Sequence, residues 1–206
     1  MTARTAEKRT ALRLPDRFRQ LKSMHGDPPM SVPYGYVSEE TESFLFVSPV
    51  ERQDAMPFHD PDTVIDGIRR ELGEDQGIIE VVNGITREQR RYIYSVVKTL
   101  KRMQGVQYNL TLHLECADDV LQVQGFFSEA NVAGARDALV FALLEKQGKI
   151  QVKDSVPEGW VSDPYDPWYT RGVRMNRSEM EKYDALFPAH PLSELRKFVK
   201  EIILGN

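Results

Sequence analysis

The chain has 206 residues, with 27 Lys and Arg against 31 Asp and Glu, a formal net charge of −4, and 41% hydrophobic residues. That is the composition of an ordinary globular protein with enough chain for one full core. No apolar stretch approaches the roughly 20 residues that a membrane-crossing helix needs. The single cysteine, Cys116, excludes an intrachain disulfide framework and a zinc ribbon, and fits a reducing, cytoplasmic setting.

The first stretch is basic: Arg4, Lys8, Arg9, Arg13, Arg17, Arg19 and Lys22 stand against Glu7 and Asp16. It lacks the apolar core of a secretory signal. Residues 1–30 are expected to form a flexible, solvated arm, or a foot for a partner or anionic surface. The acidic stretch from Ser38 to Glu80, with twelve acids and three bases, could neutralise it within the molecule. That weakens a nucleic-acid reading, and no nucleic-acid-binding motif supports one.

Phe44-Leu45-Phe46-Val47 predicts a strand over 43–48, closed by Pro49 and hairpinned with Tyr34–Val37. Asp60-Pro61-Asp62 predicts a helix start, and Val64, Ile65, Ile68 and Leu72 share one face of that helix, which Gly73 ends. The strongest signal is residues 106–116. There Val106, Tyr108, Leu110, Leu112, Leu114 and Cys116 alternate with polar residues, as in a strand buried on one face. Ile78–Ile85, Arg91–Thr99 and Val120–Phe127 also read as strands, and their short connections predict an antiparallel meander. A helix over about 132–147, with Ala135, Ala138, Leu139, Ala142 and Leu143 on one stripe, is expected to cover the sheet. Arg136 is expected to pin it by pairing with Glu129.

After residue 150 the texture changes. Trp160, Tyr165, Trp168 and Tyr169 sit among Asp163-Pro164 and Asp166-Pro167, which disfavour helix. Asn176-Arg-Ser-Glu179 has the form of a capping box opening a short helix to about Leu186. Pro191 opens a final helix with Leu192, Leu195, Val199 and Ile202 on one face. The predicted class is α+β: an antiparallel sheet covered by helices at 31–150, with 151–206 packed on the same domain.

Residues 78–147 resemble the PsbP-like superfamily in this strand series, which ends in Val123-Gln-Gly-Phe-Phe-Ser-Glu129 followed by Gly134-Ala-Arg-Asp137. The tail, with Asp163-Pro-Tyr-Asp-Pro, Met175-Asn-Arg-Ser-Glu179 and Tyr183–Leu192, is similar to a group of proteins of Gram-positive gut bacteria without an assigned function. The superfamily resemblance implies a sheet-and-helix scaffold that docks other proteins. No cofactor is expected.

Candidate chemistry is sparse, and no hydrolase elbow, phosphate loop, dinucleotide fingerprint or zinc-helix motif occurs. His113 and Glu115 are same-face neighbours that could offer two metal ligands, too few for a site, and read more simply as a polar sheet face. Cys116 reads as a core thiol. His190 and His59 read as helix caps or packed loop residues, with catalysis as the rarer alternative. The expected binding surfaces are the sheet face (Gln107, Asn109, Thr111, His113) and the tail (Trp160, Tyr165, Trp168, Tyr169, Arg171). The tail is either a strap on its own domain or a partner site. The leading reading is a non-enzymatic module for a protein partner, with homodimerisation through a sheet edge open to it. The alternative is a small-molecule binder or small enzyme with a cleft between sheet and tail, drawing on His113, Glu115, Asp163, Asp166 or His190.

Overall fold

A computed structural model describes residues 12–51, 57–101, 105–117, 119–130 and 134–206. Seven antiparallel strands form one sheet: β1 (Arg19–Gln20), β2 (Val32–Val37), β3 (Thr41–Val50), β4 (Gln76–Ile85), β5 (Arg91–Lys101), β6 (Gly105–Glu115) and β7 (Val120–Glu129). Their order is β1-β2-β3-β7-β6-β5-β4, so the meander β4 to β7 adds the β2-β3 hairpin at β7. The α+β class stands as read from the sequence.

Alternation along β6 decides the two faces. Tyr108, Leu110, Leu112 and Leu114 are buried on one side, beside Leu45, Val96, Val123 and Phe127. The helix over this face is α3 (Pro191–Gly205), which lays Leu192, Leu195, Phe198, Val199 and Ile202 into the core. At one end of the other face α1 (Pro61–Glu71) packs Ile65 with Phe58, Ile78, Val81, Ile93 and Val120. Its N-terminus is capped as expected, since the Asp60 carboxylate accepts the Thr63 N–H at 3.1 Å.

Several expectations change. The helix α2 (Ala135–Lys146) buries Arg136, Val140 and Leu144, while Leu139 and Leu143 are exposed. Its apolar partners are Ile150, Tyr183, Trp160 and Phe187 rather than the sheet, which α3 covers instead. Arg136 does not pair with Glu129; it reaches Asp184 at 3.0 Å, the Ser193 hydroxyl and the Ser178 carbonyl. The Glu129 carboxylate instead accepts the N–H groups of Gly134 and Val106. Strand β3 continues through Pro49 to Val50. A proline is tolerated there because β2 pairs only as far as Val47, so Pro49 needs no N–H on that side.

The basic stretch is not a free arm from Leu12 onward. Leu12 and Leu14 pack on the core, Phe18 lies in it, and Arg17 pairs with Glu201 at 2.6 Å. Residues 1–11 of that stretch, and Asp118 in the β6-β7 turn, lie outside the described residues.

The tail begins with a hairpin of β8 (Gln151–Lys153) and β9 (Val156–Glu158). It closes a second two-stranded pair from β10 (Val161–Ser162) and β11 (Met175–Asn176). The capping box forms: Asn176 accepts the Ser178 N–H, and Glu179 accepts the Asn176 N–H at 2.7 Å. It opens two short 3₁₀ helices, Arg177–Glu179 and Glu181–Leu186, rather than one α-helix.

Candidate functional site

The segment between β10 and β11 is built by its aspartates. The buried Asp163 carboxylate accepts the N–H groups of Tyr165 and Asp166 at 3.0 and 2.9 Å, and an Arg69 N–H at 2.7 Å. Asp166 then accepts the Trp168 N–H at 2.9 Å. Proline φ angles and these aspartate turns fix the loop locally. Two contacts fix it to the sheet. The Tyr165 hydroxyl accepts the Val81 N–H and donates to the Val81 carbonyl, and the Val173 N–H donates to the Gln76 carbonyl at 2.8 Å.

These bonds close the outer edge of β4. The approach at Gly77 is so near that a Cβ there would sit 1.6 Å from the Val173 carbonyl oxygen. Glycine at 77 is therefore a packing requirement of the strap. Gly172 adds a positive φ of +67° where the chain turns in to the edge.

The five tail residues divide accordingly. Tyr165 is a strap anchor. Trp160 packs edge-on against Phe141, with ring centres 5.1 Å apart. The Tyr169 ring lies beneath the Arg69 guanidinium at 4.5 Å. Trp168 differs: the residue is 89% exposed although its backbone N–H is held. Arg171, three positions on, is exposed as well.

Trp168 stands between two depressions. Pro167 and Pro164 line a cleft of about 720 Å³ against β4, whose walls include Ile79, Met175 and Met180. Its lining includes Glu80 and Arg196, already paired at 2.8 Å. On the other side Tyr169 and Arg171 line an open depression of about 500 Å³ with Thr63, Asp66, Arg69 and Arg70 of α1.

The sheet-face residues are half-buried. The register sets Asn109 opposite Phe126, and Phe126 opposite Phe44, so this polar row borders an aromatic strip. Asn109 donates to the Thr99 hydroxyl at 2.8 Å, and the His113 ring meets the Gln122 amide at 2.9 Å. Burial holds the His113 pKa below the usual histidine value. Gln107 and Thr111 complete the row.

The residues considered for chemistry are occupied elsewhere. Glu115 forms a forked pair with Arg91, and His59 contacts Arg91 at 2.7 Å rather than capping α1. His190 does cap α3, its Nδ1 accepting the Leu192 N–H at 3.2 Å, with its ring edge-on to Tyr108. Burial raises the Cys116 thiol pKa, the opposite of nucleophile activation. No group of three or more metal-ligating side chains gathers among the described residues, and no described helix is long and apolar enough to cross a membrane.

Sequence reasoning missed a buried charged network under the tail. Lys98 donates to Glu179 at 2.7 Å, and the Tyr108 hydroxyl donates to the same carboxylate at 3.1 Å. Arg196 bridges Glu80, Asp184 and the Glu179 carbonyl, and Arg136 shares Asp184. A signal was present: Lys98 falls in the buried register of β5, two positions after Val96. Every charge here has an opposite partner, so the network is a fastener for the tail and α3.

No protein-family model matches the sequence, and no curated protein matches it. Among solved structures, a Pseudomonas aeruginosa protein of unknown function is similar over 68% of this chain and 99% of its own, at 7% identity and a TM-score of 0.37. At that level the likeness bears on neither fold nor function.

Proposed function

We propose that the chain is a non-enzymatic interaction module, docking a protein partner across the 163–172 ridge. The observation that carries this reading is Trp168, an indole left 89% exposed on a loop held by backbone hydrogen bonds and by Tyr165. A tryptophan displayed on a held backbone loses little backbone freedom on binding, and tryptophan dominates binding hot spots. The strap and site readings of the tail then coexist: Trp160, Tyr165 and Tyr169 anchor, while Trp168 and Arg171 face outward. The PsbP-like kinship and a cytoplasmic setting belong to the same proposal. The consecutive neighbours β4 to β7, which carry the resemblance, support the kinship.

The test compares affinity capture from the native organism by the wild type and by Trp168→Ala, both checked for equal thermal stability. Loss of specific partners from the folded variant is the expected result. Unchanged capture removes the ridge from consideration.

A second reading has its own observation. The cleft of about 720 Å³ beside Met175 and Met180 is of the size that holds small ligands. A thermal-shift screen of metabolites against wild type and Met180→Trp tests it, since a true ligand stabilises only the open cleft.

A further inference from the structure

From the gathering of Arg69, Arg70 and Arg171 around Tyr169 we infer that the partner seated beside Trp168 presents an acidic peptide segment, with its carboxylates in this arginine-lined depression. The inference rests on the ridge being the docking surface, and it names the chemistry of what docks. Arg69 and Arg70 occupy the last turn of α1, where cations complement the helix dipole, so their presence alone needs no ligand. Arg171 has no such reason. It comes from a different element, yet lines the same depression.

Their partners differ. Arg69 is committed to Asp163 at 2.7 Å. Arg70 donates its Nε–H to the Asp66 carbonyl at 3.2 Å. Among the described residues, neither Arg70 nor Arg171 has a carboxylate within ion-pair distance. The buried Arg69 Nε and Tyr169 hydroxyl also lack hydrogen-bond partners among the described residues. The lining of the depression therefore carries three guanidiniums against the one carboxylate of Asp66, in a chain whose net charge is −4.

The surroundings select among anions. Asp66 lines the depression with the arginines, and Asp163 is paired with Arg69 at its edge. A polyanion such as a nucleic-acid strand would meet these carboxylates as it extended. A short segment with one or two carboxylates matches the two uncommitted guanidiniums, which grip carboxylate in a fork, and places neighbouring apolar atoms on the Trp168 ring.

The experiment selects random short peptides displayed on phage against the full chain at low salt. Enriched peptides are titrated against wild type, Trp168→Ala and the double variant Arg70→Glu/Arg171→Glu. An oligonucleotide and inorganic phosphate serve as further probes. Both substitution sites are exposed, and circular dichroism confirms the fold of each variant. The expected result is enrichment of net-acidic peptides whose affinity falls about tenfold to hundredfold in the arginine variant and declines as salt rises. Neutral or basic peptides, no enrichment, or acidic peptides indifferent to the arginines would overturn the inference. So would tighter binding of the oligonucleotide through the same arginines, or of phosphate as an adventitious ion only. If the peptides need Trp168 but not the arginines, the ridge stands and only the acidic assignment falls. If they need neither, the ridge falls as well.

Discussion

Glu179→Gln tests whether the buried network fastens the tail. The Glu179 and Lys98 side chains are 1% and 3% exposed, with 2.7 Å between their charged atoms. The carboxylate also receives the Tyr108 hydroxyl at 3.1 Å and the Asn176 N–H at 2.7 Å. The amide removes the counter-charge and turns an NH₂ group toward one of three donors. Leaving one ammonium uncompensated in the interior costs about 3–5 kcal/mol, against a whole-domain stability of about 5–15 kcal/mol. For a chain this long each kcal/mol lowers Tm by about 2–4 °C, so the drop is about 6–20 °C. Urea unfolding followed by circular dichroism and by tryptophan fluorescence gives the free energy. The double variant Lys98→Met/Glu179→Gln removes the stranded charge, and most of the loss is recovered, with a coupling of at least about 1 kcal/mol. A single-variant cost below about 1 kcal/mol, or a double variant no more stable than Glu179→Gln alone, refutes the reasoning.

Two further outcomes follow from the same geometry. Gly77→Ala drives a Cβ into the Val173 carbonyl, backbone against backbone, so the strap lifts from β4. Hydrogen exchange at Val173 and along β4 quickens; protection equal to wild type means that the strap does not close this edge. His113 gives a pH dependence: burial lowers its pKa when folded, so below the free value of about 6.5 the unfolded chain takes up the proton first. Its contribution to stability is complete above that pH and is lost as the pH falls. His113→Asn flattens the fall in stability below about pH 6.5, and an unchanged slope in urea titrations counts against the burial argument.

The sheet was legible because period-two patterning leaves little choice. Residues alternating from Val106 to Leu114 admit one register, and the neighbouring strands follow by short turns. The helix layer was not legible to the same degree. In α2 the run Ala138-Leu-Val-Phe-Ala-Leu-Leu144 is apolar around the whole circumference, so no stripe marks the buried side. The face that is buried also contains Arg136, which pattern reading assigns to solvent until Asp184 and Ser193 are brought to it from 48 and 57 positions away. The N-terminal stretch failed for a related reason: Leu12, Leu14 and Phe18 are few among many charges, and the surface they join is assembled from α3 and distant strands. Within the site, the aromatic tail could be singled out from residue types alone. That the Tyr165 hydroxyl ties to the sheet while Trp168 points out depends on Val81 and on the aspartate turns, which are three-dimensional facts.

The position of α3 along the chain has a consequence for synthesis. The last strand of the sheet ends at Glu129, and the helix that covers its apolar face begins only at Pro191, 62 positions later. At a ribosomal rate of about 5–20 residues per second, Tyr108, Leu110, Leu112 and Phe127 stay uncovered for roughly 3–12 s after the strands leave the tunnel. During that interval the nascent sheet is a sticky half-sandwich. Nascent-chain chaperones should therefore hold it until the final helix emerges, and a premature stop before residue 191 should yield aggregate rather than a smaller domain.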